Sequence, residues 1–214
     1  MVLGDLQVWA SRAISVDERL LDRIAVVWPR CMEVLPVQPQ EDAITRNLVN
    51  LLGKDPVVRN ICYYVEYQFE PFATDPKGTK YSKGKIDFAV LLDWERELYL
   101  AYECKRLSVT HSRRRSSLAT DYVKEGMMRF ISEQYAEGLP IGCMLGYVMD
   151  GDIAFAMKQV KRAIRSHEPL GLVTGPTTAA RIQNIDRFLT THSRTNLTRI
   201  ELRHAFLPFA NAHA

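Results

Sequence analysis

Residues 84–105 read GKIDFAVLLDWERELYLAYECK. Two apolar runs, 86–92 and 98–105, are joined by a short polar turn, which predicts two neighbouring strands. The first run is apolar on both faces and therefore reads as a central strand. Yet both runs carry ionisable residues at one end. Asp87 opens the first run, and Glu103 and Lys105 close the second. Side chains alternate along a strand, so Glu103 and Lys105 point to the same side, with Tyr99 and Ala101 behind them. Charges placed at the rim of an apolar sheet are costly unless something compensates them. A bound metal ion is the best compensation this pattern offers.

A fourth ionisable residue lies upstream. The segment 38–53, QPQEDAITRNLVNLLG, has a proline near its start, acids in its first turn and Gly53 as a stop signal, which predicts a helix. Ile44, Leu48, Leu51 and Leu52 form its apolar face. Glu41, two turns before Leu48, extends that face at the N-terminal end. The plainer reading is that Glu41 only favours the helix dipole, for about 0.3–1 kcal/mol.

An aspartate followed sixteen positions later by Glu-Cys-Lys, with a glutamate on the preceding helix, resembles the PD-(D/E)xK nuclease superfamily. Ile86 stands where the name-giving proline would be. The resemblance implies an α/β fold of the restriction-endonuclease-like kind, a mixed central β-sheet flanked by helices. It implies a catalytic set of Glu41, Asp87, Glu103 and Lys105. Glu41, Asp87 and Glu103 would bind Mg²⁺, with Mn²⁺ able to substitute, and Lys105 would assist the attacking water. It further implies DNA as the partner, an endodeoxyribonuclease activity, and either a homodimer or a place in a larger defence complex. The residue types suit that chemistry. Mg²⁺ takes oxygen ligands and keeps several waters, so a few carboxylates plus a substrate phosphate suffice. The ion lowers the pKa of bound water, and a nearby ammonium stabilises charge developing on phosphorus oxygens. The competing readings are a structural ion-pair cluster and a non-catalytic nucleic-acid-binding or assembly subunit. Three converging carboxylates, which repel phosphate, argue against a pure binder.

The formal net charge is only +3, so overall charge does not mark a nucleic-acid binder. Its distribution is more telling. Lys77, Lys80, Lys83 and Lys85 precede Asp87, and Lys105, Arg106, Arg113, Arg114 and Arg115 follow the second strand. Of these, Lys83, Lys85, Arg106, Arg113, Arg114 and Arg115 are the candidates for holding a nucleic-acid backbone, because they flank the proposed site where phosphates would pass. Lys158, Lys161, Arg162 and Arg165 fall at helical spacing and form a basic stripe, which a solvated helix face explains equally well.

A chain of 214 residues, 47% of them hydrophobic, can bury a full core and is expected to form a single domain with its nuclease-like part at about 39–149. Cys31, Cys62, Cys104 and Cys143 show no CxxC pairing, which suggests neither a zinc site nor a disulfide framework. No long apolar segment is present, and the sequence reads as a soluble cytoplasmic protein with no membrane partner.

The remaining segments are expected as follows. Residues 17–28 form an amphipathic helix with Asp17 as a cap and Pro29 as its end. Residues 61–70 form a strand, and 71–84 a polar loop. Residues 120–137 form a helix capped by Thr120, then 140–149 a buried strand and 153–165 a helix. Residues 166–181 are loop-like, and a last strand spans about 198–208. On the 120–137 helix, Tyr122, Glu125 and Arg129 share a face as accessory candidates, and Gly126 permits close approach to the sheet. A solvent-exposed Glu125–Arg129 pair is the plainer account. The Q-x-x-x-Y signature of some superfamily relatives is absent here, since Gln134 and Tyr135 are adjacent. Near the C-terminus, His192 and Arg194 either touch phosphate or sit exposed in a helix-to-strand turn.

Overall fold

The computed structural model describes residues 6–112, 114–196 and 198–209. A seven-stranded mixed sheet forms its centre. Its strands are β1 (Tyr64–Phe69), β4 (Ile86–Leu91), β5 (Tyr99–Leu107), β8 (Ile141–Val148), β9 (Leu172–Ile182), β10 (Ile185–Ser193) and β11 (Arg199–Pro208). The spatial order is β1-β4-β5-β8-β11-β10-β9. Two hairpins stand off the sheet: β2 (Phe72–Thr74) with β3 (Lys80–Ser82), and β6 (Val109–His111) with β7 (Arg114–Ser116). Strands β5, β8 and β11 run parallel, and every other neighbouring pair in the sheet is antiparallel.

The sheet is covered on both faces. Helix α1 (Leu6–Glu33) and helix α2 (Glu41–Lys54) cover the face that carries Tyr102, Cys104 and Tyr147. Trp28 stacks on Tyr147 with centroids 5.6 Å apart. On the other face lie α3, which runs through Ala119–Asp121, a π-helical turn Tyr122–Met127 and Met128–Ile131, and α4 (Ile153–Ser166). Because β5 and β8 are covered from both sides, all eight residues of β8 are buried. No helix among the described residues is long and apolar enough to cross a membrane.

Several expectations are corrected. Helix α1 starts well before residue 17 and carries Pro29 inside it. Asp17 is no cap but a buried mid-helix carboxylate. Its Oδ1 accepts from the Tyr102 hydroxyl at 2.8 Å, and its Oδ2 accepts from Arg203 Nε at 2.7 Å and Arg187 at 3.2 Å. The 71–84 segment contains the β2–β3 hairpin, and the long helix ends at Ile131 rather than near residue 137. Most of 166–181 is the edge strand β9. Edge position explains its composition: none of its residues is fully buried, and proline is tolerated where one backbone edge has no partner. Strand β10 runs where a turn is expected, so His192 lies within a sheet.

Candidate functional site

The site lies where β4 and β5 part. Their pairing runs from Leu91↔Tyr99 to Phe88↔Tyr102, and β5 then continues to Leu107. Beyond that point the backbone N–H groups of Cys104 and Arg106 face the β4 side without a ladder partner. Two carboxylates take them. Asp87 Oδ2 accepts from the Cys104 amide at 2.6 Å, and Glu41 Oε2 accepts from the Arg106 amide at 2.8 Å. Orphaned strand donors therefore fix two of the four side chains. Glu41, the first residue of α2, reaches through the fork from the opposite face.

Lys105 stands at the centre. Its Nζ donates to Glu41 Oε1 at 2.9 Å and lies 2.9 Å from Glu103 Oε1 and 4.0 Å from Asp87 Oδ2. Burial works to lower its pKa, but the Glu103, Glu41 and Asp87 carboxylates outweigh it and hold Lys105 above the ordinary lysine range. Burial also raises Asp87, against the pull of Lys105 and the Cys104 amide. The extreme case is Glu103, whose side chain is fully buried. Burial, then Asp87, push its carboxyl up to about 8, while Lys105 and Arg129 pull the other way.

Glu103 is also the least satisfied group in the site. Arg129 and Lys105 each place a nitrogen 2.9 Å from its Oε1, yet neither approach has hydrogen-bond geometry, and Oε2 has no protein donor. Leaving a buried carboxyl without directed hydrogen bonds costs about 1–3 kcal/mol, and more when it is ionised. Hard carboxylate oxygens with spare capacity fit a cation such as Mg²⁺. The expected direct convergence of Glu41, Asp87 and Glu103 is corrected, however. The three meet around the Lys105 ammonium, and among the described residues no three His, Cys, Asp or Glu side chains are close enough to hold an ion as they stand.

Helix α3 roofs the fork through its π-helical turn, in which the Met128 amide bonds back to the Val123 carbonyl. Such turns arise where a helix must adjust to a local demand, and here that demand is close approach. A Cβ on Gly126 would meet Met144 Cε at 2.8 Å, Lys105 Cγ at 3.5 Å and Glu103 Cγ at 3.6 Å. Arg129, one turn on, pairs with Glu103 rather than with Glu125, which is exposed. Its NH1 also donates to the Tyr135 hydroxyl at 2.8 Å, and that hydroxyl donates to the Lys85 carbonyl. Sequence reasoning misses Tyr135. It lies past the helix in irregular chain, and no periodicity marks it.

The other accessory candidates lie elsewhere. Arg194 is buried and donates to the carbonyls of Phe130, Leu139 and Ala136 at 2.9–3.0 Å, locking the turn that carries Tyr135. His192 is buried between the Leu170 carbonyl and Thr190, and its pKa falls to about 4 through burial. Tyr122 is buried and bonds His204 Nδ1. Neither exposed-turn placement nor a position open to phosphate describes His192 or Arg194.

The basic candidates divide as well. Lys83 pairs with Glu137 at 2.7 Å, and Arg106 donates to the Pro39 carbonyl at 3.0 Å. Arg115 pairs with Asp150 and Asp152 and lies 3.5 Å over the Phe155 ring. Lys85 and Arg114 are exposed, and Arg113 lies outside the described residues. On α4, Lys158, Arg162 and Arg165 line the outward side, whereas Lys161 covers the Phe188 ring at 5.0 Å. A scan against protein-family models and searches of curated proteins and of solved structures find no match to this chain.

Proposed function

We propose that the protein is a divalent-cation-dependent nuclease that hydrolyses DNA phosphodiesters, built on a restriction-endonuclease-like core. One observation carries this reading. Asp87, Glu103 and Lys105 gather with Glu41 in the fork of two central strands, and the buried Glu103 carboxylate there lacks directed donors. Glu41, Asp87 and Glu103 would hold Mg²⁺ or Mn²⁺, which would polarise a phosphoryl oxygen and acidify bound water. Lys105, kept charged by three carboxylates, orients a water beside the phosphate and stabilises charge that develops in the transition state. The amide bonds of Cys104 and Arg106 hold Asp87 and Glu41 in place, so little reorganisation is left for the reaction. Exposed Lys85 and Arg114 lie on the segments that flank the fork and suit binding of backbone phosphates.

The test is incubation of the full chain with linear, circular and single-stranded DNA, with and without Mn²⁺, beside calorimetric titration of Mn²⁺ into the protein. Cation-dependent cleavage is expected. Absence of both cleavage and cation uptake would sink the reading. A second reading, an assembly subunit whose charge cluster is structural, has one observation in its favour: Lys105 and Arg129 already offset the carboxylates. That protein would take up no Mn²⁺ at the fork.

A further inference from the structure

Arg129 combines three properties. Its guanidinium lies 2.9 Å from the fully buried Glu103 carboxylate, its side chain is 32% exposed, and the same nitrogen that faces Glu103 also donates to the Tyr135 hydroxyl. A guanidinium whose only work is to neutralise a buried acid is better placed out of water, where the attraction is strongest. Arg187 and Arg203 illustrate such placement, with side chains 4% and 5% exposed against the buried Asp17 carboxylate. Arg129 instead bridges the floor of the fork and solvent.

The pairing with Glu103 is also loose in a particular way. It brings charge into proximity without a directed hydrogen bond, so Glu103 forfeits no well-formed bond by turning away. Arg129 would remain in place if it did, because Tyr135 still accepts from NH1 and anchors to the Lys85 carbonyl. The turn bearing Tyr135 is itself locked by Arg194. Guanidinium groups bind carboxylate and phosphate with the same planar fork of donors.

We propose that Arg129 is an anion-exchanging residue of the fork. It holds the Glu103 carboxylate while no cation is bound, and it receives a nonbridging oxygen of the substrate phosphodiester once Glu103 turns to a divalent cation. The exchange couples the two ligands: cation uptake frees the guanidinium, and phosphate on the guanidinium frees Glu103. Here Arg129 touches substrate directly rather than serving as roof packing. The proposal rests on the nuclease reading of the same site.

The decisive variant is Arg129→Gln, compared with wild type by Mn²⁺ calorimetry and by fluorescence anisotropy of a short DNA duplex in Ca²⁺. Removing a competing positive charge should tighten Mn²⁺ binding about three- to tenfold, while losing the phosphate partner should weaken duplex binding about tenfold. Opposite movements of this kind are not what a packing defect produces, since misfolding weakens both. Unchanged affinities, or losses in both from a variant that melts like wild type, overturn the proposal. If Arg129→Gln does not fold, Arg129→Lys keeps the charge but not the fork of donors. It should bind Mn²⁺ like wild type and the duplex about threefold more weakly, and an unchanged duplex affinity overturns the proposal. A wild-type protein that takes up no Mn²⁺ overturns the nuclease reading and this proposal together. One that takes up Mn²⁺ and DNA, with a silent Arg129→Gln, overturns the proposal alone.

Discussion

Two buried ionic clusters lie back to back on strand β5. Tyr102 points into one and Glu103, the next residue, into the other. On the α1 face, Asp17 receives directed bonds on both oxygens, from Tyr102, Arg187 and Arg203, and neither oxygen is left over. On the α3 face, Glu103 has two cations near one oxygen and directed bonds on neither. The chemistry of the groups is alike, and the difference is completion. A finished network fixes α1 against β10 and β11, whereas an unfinished one retains capacity for something that arrives later.

The two clusters should part most sharply under mutation. Asp17→Ala leaves the buried Arg187 without its close carboxylate, while Arg203 keeps Glu18 and Glu201, and should cost about 3 kcal/mol of stability, read as a drop in the denaturant midpoint. Glu103→Gln should cost far less by the same measurement. A larger loss at Glu103 than at Asp17 would invert the distinction between the two clusters.

Activity should separate them in the opposite sense. Lys105→Ala is expected to lower single-turnover DNA cleavage about 10²–10³-fold, because its work is done on charge that develops in the transition state, while Mn²⁺ binds at least as tightly, since an ammonium that competes for Glu41 and Glu103 is also removed. Asp87→Ala should lose cation affinity along with cleavage. Near wild-type cutting by Lys105→Ala would remove Lys105 from the chemistry.

Protons should distinguish the clusters next. With its carboxyl raised to about 8 in the folded protein from an ordinary 4.5, Glu103 binds more protons folded than unfolded between those values. Its contribution to stability is therefore full below about 4.5 and is lost as pH rises through 8. Facing it are Asp87, Lys105 and Arg129, with Glu41 across Lys105. Melting temperatures from pH 5 to 9 should show wild type declining relative to Glu103→Gln, and parallel curves would contradict this. The histidines act oppositely. His192, lowered to about 4 by burial, contributes stability that is present above its ordinary 6.5 and lost as pH falls toward 4. His192→Gln should soften that acid loss.

The smallest expected effect concerns surface arginines. Arg114→Ala should reduce the slope of log affinity against log salt by about one for each phosphate that Arg114 neutralises. Arg115→Ala, whose guanidinium is committed to Asp150 and Asp152, should leave the slope unchanged. Equal changes would mean that the Asp150 and Asp152 pairs open when DNA binds.

What the chain's sequence reveals about this architecture depends on where burial is apolar. Strands β4, β5 and β8 and helix α2 are legible because their neighbours bury them in hydrophobic runs. Strand β10 is not, since its inward residues include Arg187, Thr190 and His192, whose polarity is satisfied by partners distant in sequence. Strand β9 hides for the converse reason, being an exposed edge whose apolar residues are split by Gly175, Pro176 and three threonines. In the fork, the shared side of Glu103 and Lys105 is visible from strand alternation alone. The capture of Arg129 by Glu103 is not, because it depends on a π-helical turn that ordinary helical spacing does not anticipate.

The hydrogen-bonded string beneath α3 has a direction. The Leu170 carbonyl can only accept, so His192 must give it the Nδ1 proton and take the Thr190 hydroxyl proton at Nε2. Thr190 then has only a lone pair for His204 Nε2, which must donate, and His204 Nδ1 is left to accept from Tyr122. Every proton in the row is thus assigned by one carbonyl at its far end, as a row of dominoes leans the way the first is pushed. An extra proton on His192 would turn the Thr190 hydroxyl into an acceptor on both sides and leave its own hydrogen without a partner in the row. The β10–β11 hairpin thus shares one ordered string of hydrogen bonds with Tyr122, the first residue of the π-helical turn.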